Sequence, residues 1–236
     1  MNPCLYTWWW PRIRASVPIV LMLHSVADEV VTPVTPNNTV RPRELEELVD
    51  RLRKRGYVFQ TLSEAEEMPC RHAVVLTFDD GCRDNYEILF PIVQRLQLRI
   101  TCFATDRGEL YREFLSPTQM REMDGSGLVE FGGHTSHHVT LTSVAPDVAR
   151  HEIRDNKARL EEILGHSVSA FSYPCGRYTP AIVEEVRAAG YRLAVTMDKR
   201  MRSFSVDPYR IHRQIIPRGL DGRAAYLLAT RGRFRL

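Results

Sequence analysis

Residues 73–81 read Ala-Val-Val-Leu-Thr-Phe-Asp-Asp-Gly, so a buried-looking strand runs straight into two adjacent carboxylates, Asp79 and Asp80, and a glycine. Side chains alternate along a strand, which lets neighbouring aspartates face different partners, one a proton and the other a metal ion. Asp-Asp-Gly is also a good turn, and on this segment alone the two readings weigh equally. Residues 131–138, Phe-Gly-Gly-His-Thr-Ser-His-His, place three histidines in five positions after a second predicted strand. Neutral imidazole is the commonest ligand for zinc and similar ions, and His134 and His138 have a spacing that converges on one ion where the backbone turns. Asp80, His134 and His138 therefore form a one-carboxylate, two-imidazole set that leaves positions open for water and substrate, as hydrolysis requires. A third segment, Ala170 to Tyr178, ends another strand and carries Cys175 between Pro174 and Gly176. No particular histidine pairs with Cys175, so an ordinary thiol in the site wall is preferred to a nucleophile.

Positioning these groups falls to an α/β pattern, in which short Val, Ile, Leu and aromatic runs alternate with segments of helical period. Predicted strands are Val17–His24, Tyr57–Gln60, Ala73–Phe78, Ile100–Ala104, Leu128–Phe131, Ala170–Tyr173, Arg192–Thr196 and Arg210–Ile216. Helices are expected over Arg43–Arg55, stopping at Gly56, and over Asp147–Leu164, between Pro146 and Gly165. The charges of the second are read as a solvated face. Further helices are expected around Asp84–Leu96, Pro117–Met123 and Pro180–Ala189. The chemistry-bearing segments all fall at carboxyl ends of strands, where parallel α/β folds place their sites.

The chain has 236 residues, 44% of them hydrophobic and 26% charged, which suits one domain over 1–236, with a core at about 17–217 and a basic helix or tail at 218–236. The net charge of +3 hides an asymmetry: residues 199–236 hold ten Arg/Lys against two Asp/Glu, the remainder 22 against 27. Nucleic acid, an anionic membrane surface and an anionic substrate are the partners such an end could serve. Only Tyr226 and Phe234 are aromatic after residue 210 and no reader motif is present, so no nucleic-acid partner is expected. No run of about 18 apolar residues occurs, which excludes a transmembrane helix. The opening residues, with Trp8-Trp9-Trp10 ahead of Arg12 and Arg14, lack the order of a secretory signal, so the protein reads as cytoplasmic, with Trp8–Trp10 and the basic end as a route to the inner membrane face. Five scattered cysteines without a C-x-x-C spacing argue for reduced thiols.

Taken in order, Leu76-Thr77-Phe78-Asp79-Asp80-Gly81, Asp84-Asn85-Tyr86, His134-Thr135-x-x-His138 and Tyr173-Pro174-x-Gly176 resemble the polysaccharide deacetylase family, carbohydrate esterase family 4. The likeness runs from about Val17 to Ile216. It implies a distorted (β/α) barrel and metal-dependent hydrolysis of an N-acetyl, less often O-acetyl, group on a sugar. By this resemblance Asp79 is the general base, and Asp80, His134 and His138 hold one divalent ion, zinc first, with cobalt, manganese, nickel or iron as alternatives. It also puts an oxyanion-binding backbone N–H at about Cys175, with Tyr173 in the same substrate-side segment. His137, between the ligands, has no assigned role.

The sequence departs from the family at Ser172 and Cys175, where many members carry Arg and Tyr, and it lacks the late Leu-x-His motif that supplies the general acid. A matching stretch, Ile19-Val20-Leu21-Met22-Leu23-His24, ends a strand near the start and resembles the rearranged order of the biofilm poly-N-acetylglucosamine deacetylases. That makes His24 the acid or a substrate contact. Arg213 aligns with an arginine common after the last strand of relatives and is expected near substrate, pairing with Asp79 in place of the lost cation; His212 lies on the opposite face. The competing readings are a catalytically inactive carbohydrate-binding protein of the same fold, against which the complete Asp-Asp and His-His set argues, and a deformylase or O-acetyl esterase. A cytoplasmic enzyme would act on an oligosaccharide, a sugar-nucleotide product or a lipid-linked glycan.

Overall fold

The computed structural model describes residues 18–29, 38–68, 70, 72–106, 113–198 and 207–231, the last without its side chain. The expectations resting on Cys4, Trp8–Trp10, Arg12, Arg14, Val17 and the tail beyond Thr230 lie outside the described residues.

The strands are β1 (Ile19–Leu23), β2 (Ser25–Val26), β3 (Thr39–Val40), β4 (Val58–Phe59), β5 (Ala73–Phe78), β6 (Ile100–Ala104), β7 (Val129–Gly133), β8 (Ala170–Ser172), β9 (Leu193–Thr196), β10 (Ile211–His212) and β11 (Gln214–Ile215). The helices are α1 (Pro42–Arg53), α2 (Leu62–Glu67), α3 (Phe90–Leu96), α4 (Pro117–Gly125), α5 (Pro146–Leu164), α6 (Pro180–Ala188) and α7 (Gly222–Arg231). Strand order is β10-β9-β8-β7-β6-β5-β1-β11, every pairing parallel, with β4 beside the start of β5. The two ends of this path are one stretch of chain, interrupted only at Arg213. Its first half pairs with β9 and its second with β1, and the backbone carries over through Arg213 N–H to the Thr196 carbonyl (3.0 Å) and Ile216 N–H to the Met22 carbonyl (3.1 Å). The sheet thus rolls into the (β/α) barrel that the motifs imply, and the strand expected over 210–216 is bent in two at its closing point.

Parallel strands wrapped by helices are buried on both faces, and all six residues of β5 are buried. Val20, Val75, Phe103, Ala170, Leu193, Val195 and Ile211 form one cluster inside the barrel. Leu62 and Ala65 of α2 join it, and the Leu62 N–H donates to Thr101 Oγ1 (2.9 Å), so α2 plugs the end where strands begin. The period-two rule then carries each inward position up its strand to the opposite mouth. From Val75 it reaches Thr77 and Asp79; from Val20, Met22 and His24; from Ala170, Ser172; from Ile211, Arg213; and from Glu130, Gly132 and His134. The barrel is apolar in its middle and chemical at one end because alternation alone puts those residues there. Outward residues pack under α1, α3, α4, α5, α6 and α7 in the larger cluster.

Two features of the expected Asp84–Leu96 helix differ. It opens as a π-helical turn, Asn85–Leu89, before α3, and Asp84 and Asn85 turn inward to bond the segment after β1.

Candidate metal centre and catalytic site

Asp79 sits just past the end of β5, 3% exposed, with both carboxylate oxygens on one guanidinium: Arg213 Nη1 donates to Oδ1 at 2.6 Å and Nη2 to Oδ2 at 2.7 Å. Arg213 is itself 1% exposed, lies over the Phe103 ring and donates further to Thr77 Oγ1 (3.0 Å) and Ser172 Oγ (2.9 Å). A planar fork matched to a carboxylate is the strong form of this pair. Burial pushes the Asp79 carboxyl up, but the Arg213 charge and then His134 outweigh it and hold the carboxyl well below the usual range, so Asp79 is ionised at neutral pH. The cation expected from the first position of the third motif therefore arrives from the closing strand, over a residue small enough to admit it. Arg213 faces Asp79 and is itself buried, which leaves no part of its guanidinium at the surface for substrate.

One residue on, Asp80 Oδ1 lies 3.2 Å from His138 Nε2 and 3.5 Å from His134 Nε2, with the ligand atoms of all three within 4.8 Å of one another. Asp80 is 1% exposed, and its Oδ1 is buried with no hydrogen-bond partner among the described residues. A buried carboxylate oxygen left without a donor and facing two imidazole nitrogens suits a divalent cation, and two His with one Asp leave coordination positions open. His134 Nδ1 is 2.7 Å from the Ser172 carbonyl, against which it can only donate, so the Nε2 lone pair is the one turned to the site. Asp80, Thr135, His138 and Cys175 all have positive φ, between 57° and 74°, a strain of about 1–3 kcal/mol each that the surrounding packing holds at this mouth.

The loop carrying His134 and His138 is held by α5, and here the sequence reading needs correction. The charges of that helix are not only a solvated face. Glu152 is 9% exposed and accepts from the His137 N–H (2.9 Å), while its other oxygen faces His137 Nδ1 (2.7 Å). One turn later, the fully buried Asn156 accepts from the His134 N–H (2.9 Å) and donates to the Ala104 carbonyl (3.2 Å). His137, unassigned by the motif, is thus the loop's anchor on α5. Gly132 and Gly133 precede the ligands because a Cβ would fall 2.6 Å from Phe103 and 2.1 Å from the Tyr191 hydroxyl.

His24 follows β1 at the same mouth and is electrostatically coupled to Asp79, Asp80, Arg213 and His134. Burial lowers its pKa, and the two aspartates oppose that shift. Cys175 is exposed in the turn Pro174–Gly176, with Thr140 Oγ1 3.7 Å from its sulfur. Tyr173 is placed otherwise than expected. Its side chain is fully buried against Phe171 and Tyr178, and its hydroxyl donates to the Tyr209 carbonyl (3.0 Å), so it braces the wall and offers nothing to substrate. Cys70, Cys82, Cys102 and Cys175 are free thiols, and burial pushes the Cys102 thiol far up.

A parallel barrel with an arginine-held carboxylate beside a His₂Asp site at its carboxyl-terminal mouth defines a metal-dependent hydrolase. The chain belongs to the polysaccharide deacetylase family: the family profile described as "Polysaccharide deacetylase" matches residues 66–194, a span that contains Asp79, Asp80, His134, His138 and Cys175 and leaves His24 and Arg213 outside. It is accordingly a carbohydrate deacetylase, a hydrolase of carbon–nitrogen bonds. YxkH of Bacillus subtilis (strain 168), named for the same family, is 28% identical over 89% of this chain and 75% of its own length. The poly-beta-1,6-N-acetyl-D-glucosamine N-deacetylase of Escherichia coli (strain K12) is 27% identical over 79% of this chain, which spans 35% of that protein. Among solved structures, the Streptococcus pyogenes deacetylase PplD in complex with acetate superposes with a TM-score of 0.80 at 28% identity, covering 91% of this chain and 97% of that one. IcaB from Ammonifex degensii gives 0.72 at 27%, over 85% and 92%.

Proposed function

We propose that this chain removes N-acetyl groups from glucosamine-type residues of an oligo- or polysaccharide, with zinc held by Asp80, His134 and His138. The observation that carries this reading is the pairing of two carboxylates with opposite fates on consecutive residues: Asp79 is bonded on both oxygens by Arg213, and Asp80 Oδ1 faces His134 and His138 without a donor. The likeness to a poly-N-acetylglucosamine deacetylase supports the substrate class. The ion, when bound, would supply Lewis-acid polarisation of water and of the acetyl carbonyl. Asp79 accepts the proton of the attacking water, kept ionised and aimed by Arg213. His24 gives a proton to the departing sugar nitrogen. The backbone N–H of Cys175 donates to the carbonyl oxygen as charge develops there.

The test is acetate release from N-acetylglucosamine oligomers by metal-stripped protein given defined ions singly. Zinc-dependent release that disappears in Asp79→Asn protein with its metal retained supports the reading. Release of formate alone, release from O-acetyl sugars alone, or oligomer binding without turnover would replace it with a deformylase, an esterase or a carbohydrate-binding protein.

A further inference from the structure

The segment after β1 pairs with β3 on one side, through Ser25 beside Thr39 and Val26 beside Val40, and is held by the segment after β5 on the other. The Leu23 carbonyl accepts from the Asp79 N–H (3.0 Å), the His24 carbonyl accepts from Asn85 Nδ2 (2.9 Å), Ser25 Oγ donates to Asp84 Oδ2 (2.7 Å), and the Val26 N–H donates to Asp84 Oδ1 (2.9 Å). Asn85 Nδ2 also donates to Asp84 Oδ1 (3.0 Å), which fixes the two side chains relative to each other. Asp84 is 7% exposed and Asn85 fully buried, so these bonds lie out of competition with water. The His24 ring has little to orient it on its own account. Its Nε2 has one long contact, 3.5 Å to Asn38 Nδ2, and its Nδ1 is buried with no hydrogen-bond partner among the described residues. Ring placement is therefore set by the backbone frame under it. The frame's reach comes from the π-helical turn, closed by the Phe90 N–H on the Asn85 carbonyl, a widened turn of the kind that recurs at functional sites.

We propose that Asp84 and Asn85 are positioning residues that set where His24 delivers its proton, so that one stretch, residues 79–85, fixes the base, one metal ligand and the acid together. The inference rests on the reading of His24 as proton donor. A general acid matters in proportion to how poor the leaving group is. A sugar amine must be protonated as it departs, whereas nitrophenolate leaves unaided, so displacing the acid costs one substrate and spares the other. Asn85→Ala removes the N–H on the His24 carbonyl without adding charge; Asn85→Asp removes it at constant size but sets a second buried carboxylate against Asp84, so Asn85→Ala is the gentler variant and the folded state of both is checked by urea denaturation.

The experiment compares wild type, Asn85→Asp, Asn85→Ala and His24→Asn on an N-acetylglucosamine oligomer and on para-nitrophenyl acetate, in the zinc-loaded protein. Both Asn85 variants are expected to lose about tenfold or more in kcat on the oligomer, with KM and zinc content held and the aryl ester cleaved within about twofold of wild type. In the His24→Asn background the second substitution should cost nothing more. Equal losses on both substrates, wild-type oligomer turnover by Asn85→Asp, or a loss that persists without His24 overturns the positioning role alone. A wild-type protein that cleaves neither substrate overturns the reading of the site, and this inference with it.

Discussion

Arg213 both closes the barrel and holds Asp79: the residue at which the closing strand bends between β9 and β1 is the one whose guanidinium spans both carboxylate oxygens of that aspartate. Fold closure and the charge state of the Asp79 carboxylate meet in one residue, the first through its backbone N–H and the second through its guanidinium. Ser172 is part of the same arrangement, since its hydroxyl lies 2.9 Å from Arg213 Nη2 and 3.3 Å from Asp79 Oδ2.

Arg213→Met should therefore cost both stability and turnover. It strands a buried carboxylate, for which the typical penalty is about 3–5 kcal/mol. Arg213→Lys keeps the charge but not the fork and should fall between. Because Ser172 stands beside the guanidinium, adding Ser172→Arg to Arg213→Ser should recover part of the lost activity. Urea denaturation and acetate release measure these effects, and an Arg213→Met protein as stable and active as wild type contradicts the assignment.

Glu152 gives the second prediction. Both its oxygens serve His137, which lies next to His138 in the loop that starts at His134. Glu152→Ala should leave the helical circular dichroism unchanged and weaken zinc binding by roughly 10–100-fold, the usual cost of losing a group that orients ligands. Competition with a chromophoric chelator reads this directly; unchanged affinity would mean the loop holds its shape without α5.

The grouping of Asp80, His134 and His138 was legible in the sequence because the three come in two short segments, each at the carboxyl end of a strand. So was the barrel, from the alternation of apolar runs with amphipathic ones. Glu152 and Asn156 were not, because their importance depends on which face of α5 meets the loop, and their neighbours on that helix are charged in every direction. The bend at Arg213 was hidden for a related reason: Arg210–Ile216 reads as one strand, and only the presence of different partners on its two halves splits it. The side-chain direction of Tyr173 did have a signal. With Ala170 inward, alternation turns Ser172 inward and Tyr173 outward, towards Phe171 and the surrounding helices.

Tyr173→Phe tests that direction. The hydroxyl's bond to the Tyr209 carbonyl is partly buried, so its removal should cost about 1 kcal/mol of stability. Both kcat and KM on an acetylated oligomer should stay near wild type. A raised KM with unchanged stability would return Tyr173 to the substrate side.

A pH-dependent contribution to stability is expected from the far end of α4, away from the site. His166 Nε2 is 3.0 Å from Asp124 Oδ2, and its Nδ1 is 3.1 Å from the Ser167 carbonyl. The Asp124 bond first, and then the carbonyl, raise the imidazole pKa above its ordinary value, against a smaller opposing effect of burial. A raised pKa means that the folded protein binds the proton more tightly than the unfolded chain does. The stabilisation is thus complete below the unfolded value of about 6.5 and is lost as pH rises through the folded one. The imidazole is 52% exposed, so solvent screens the pair and its contribution stays within about 1 kcal/mol. Urea midpoints of wild type and His166→Ala should differ most at about pH 5.5 and converge by about pH 8.5. A gap that widens with pH would show that the imidazole is stabilised in its neutral form.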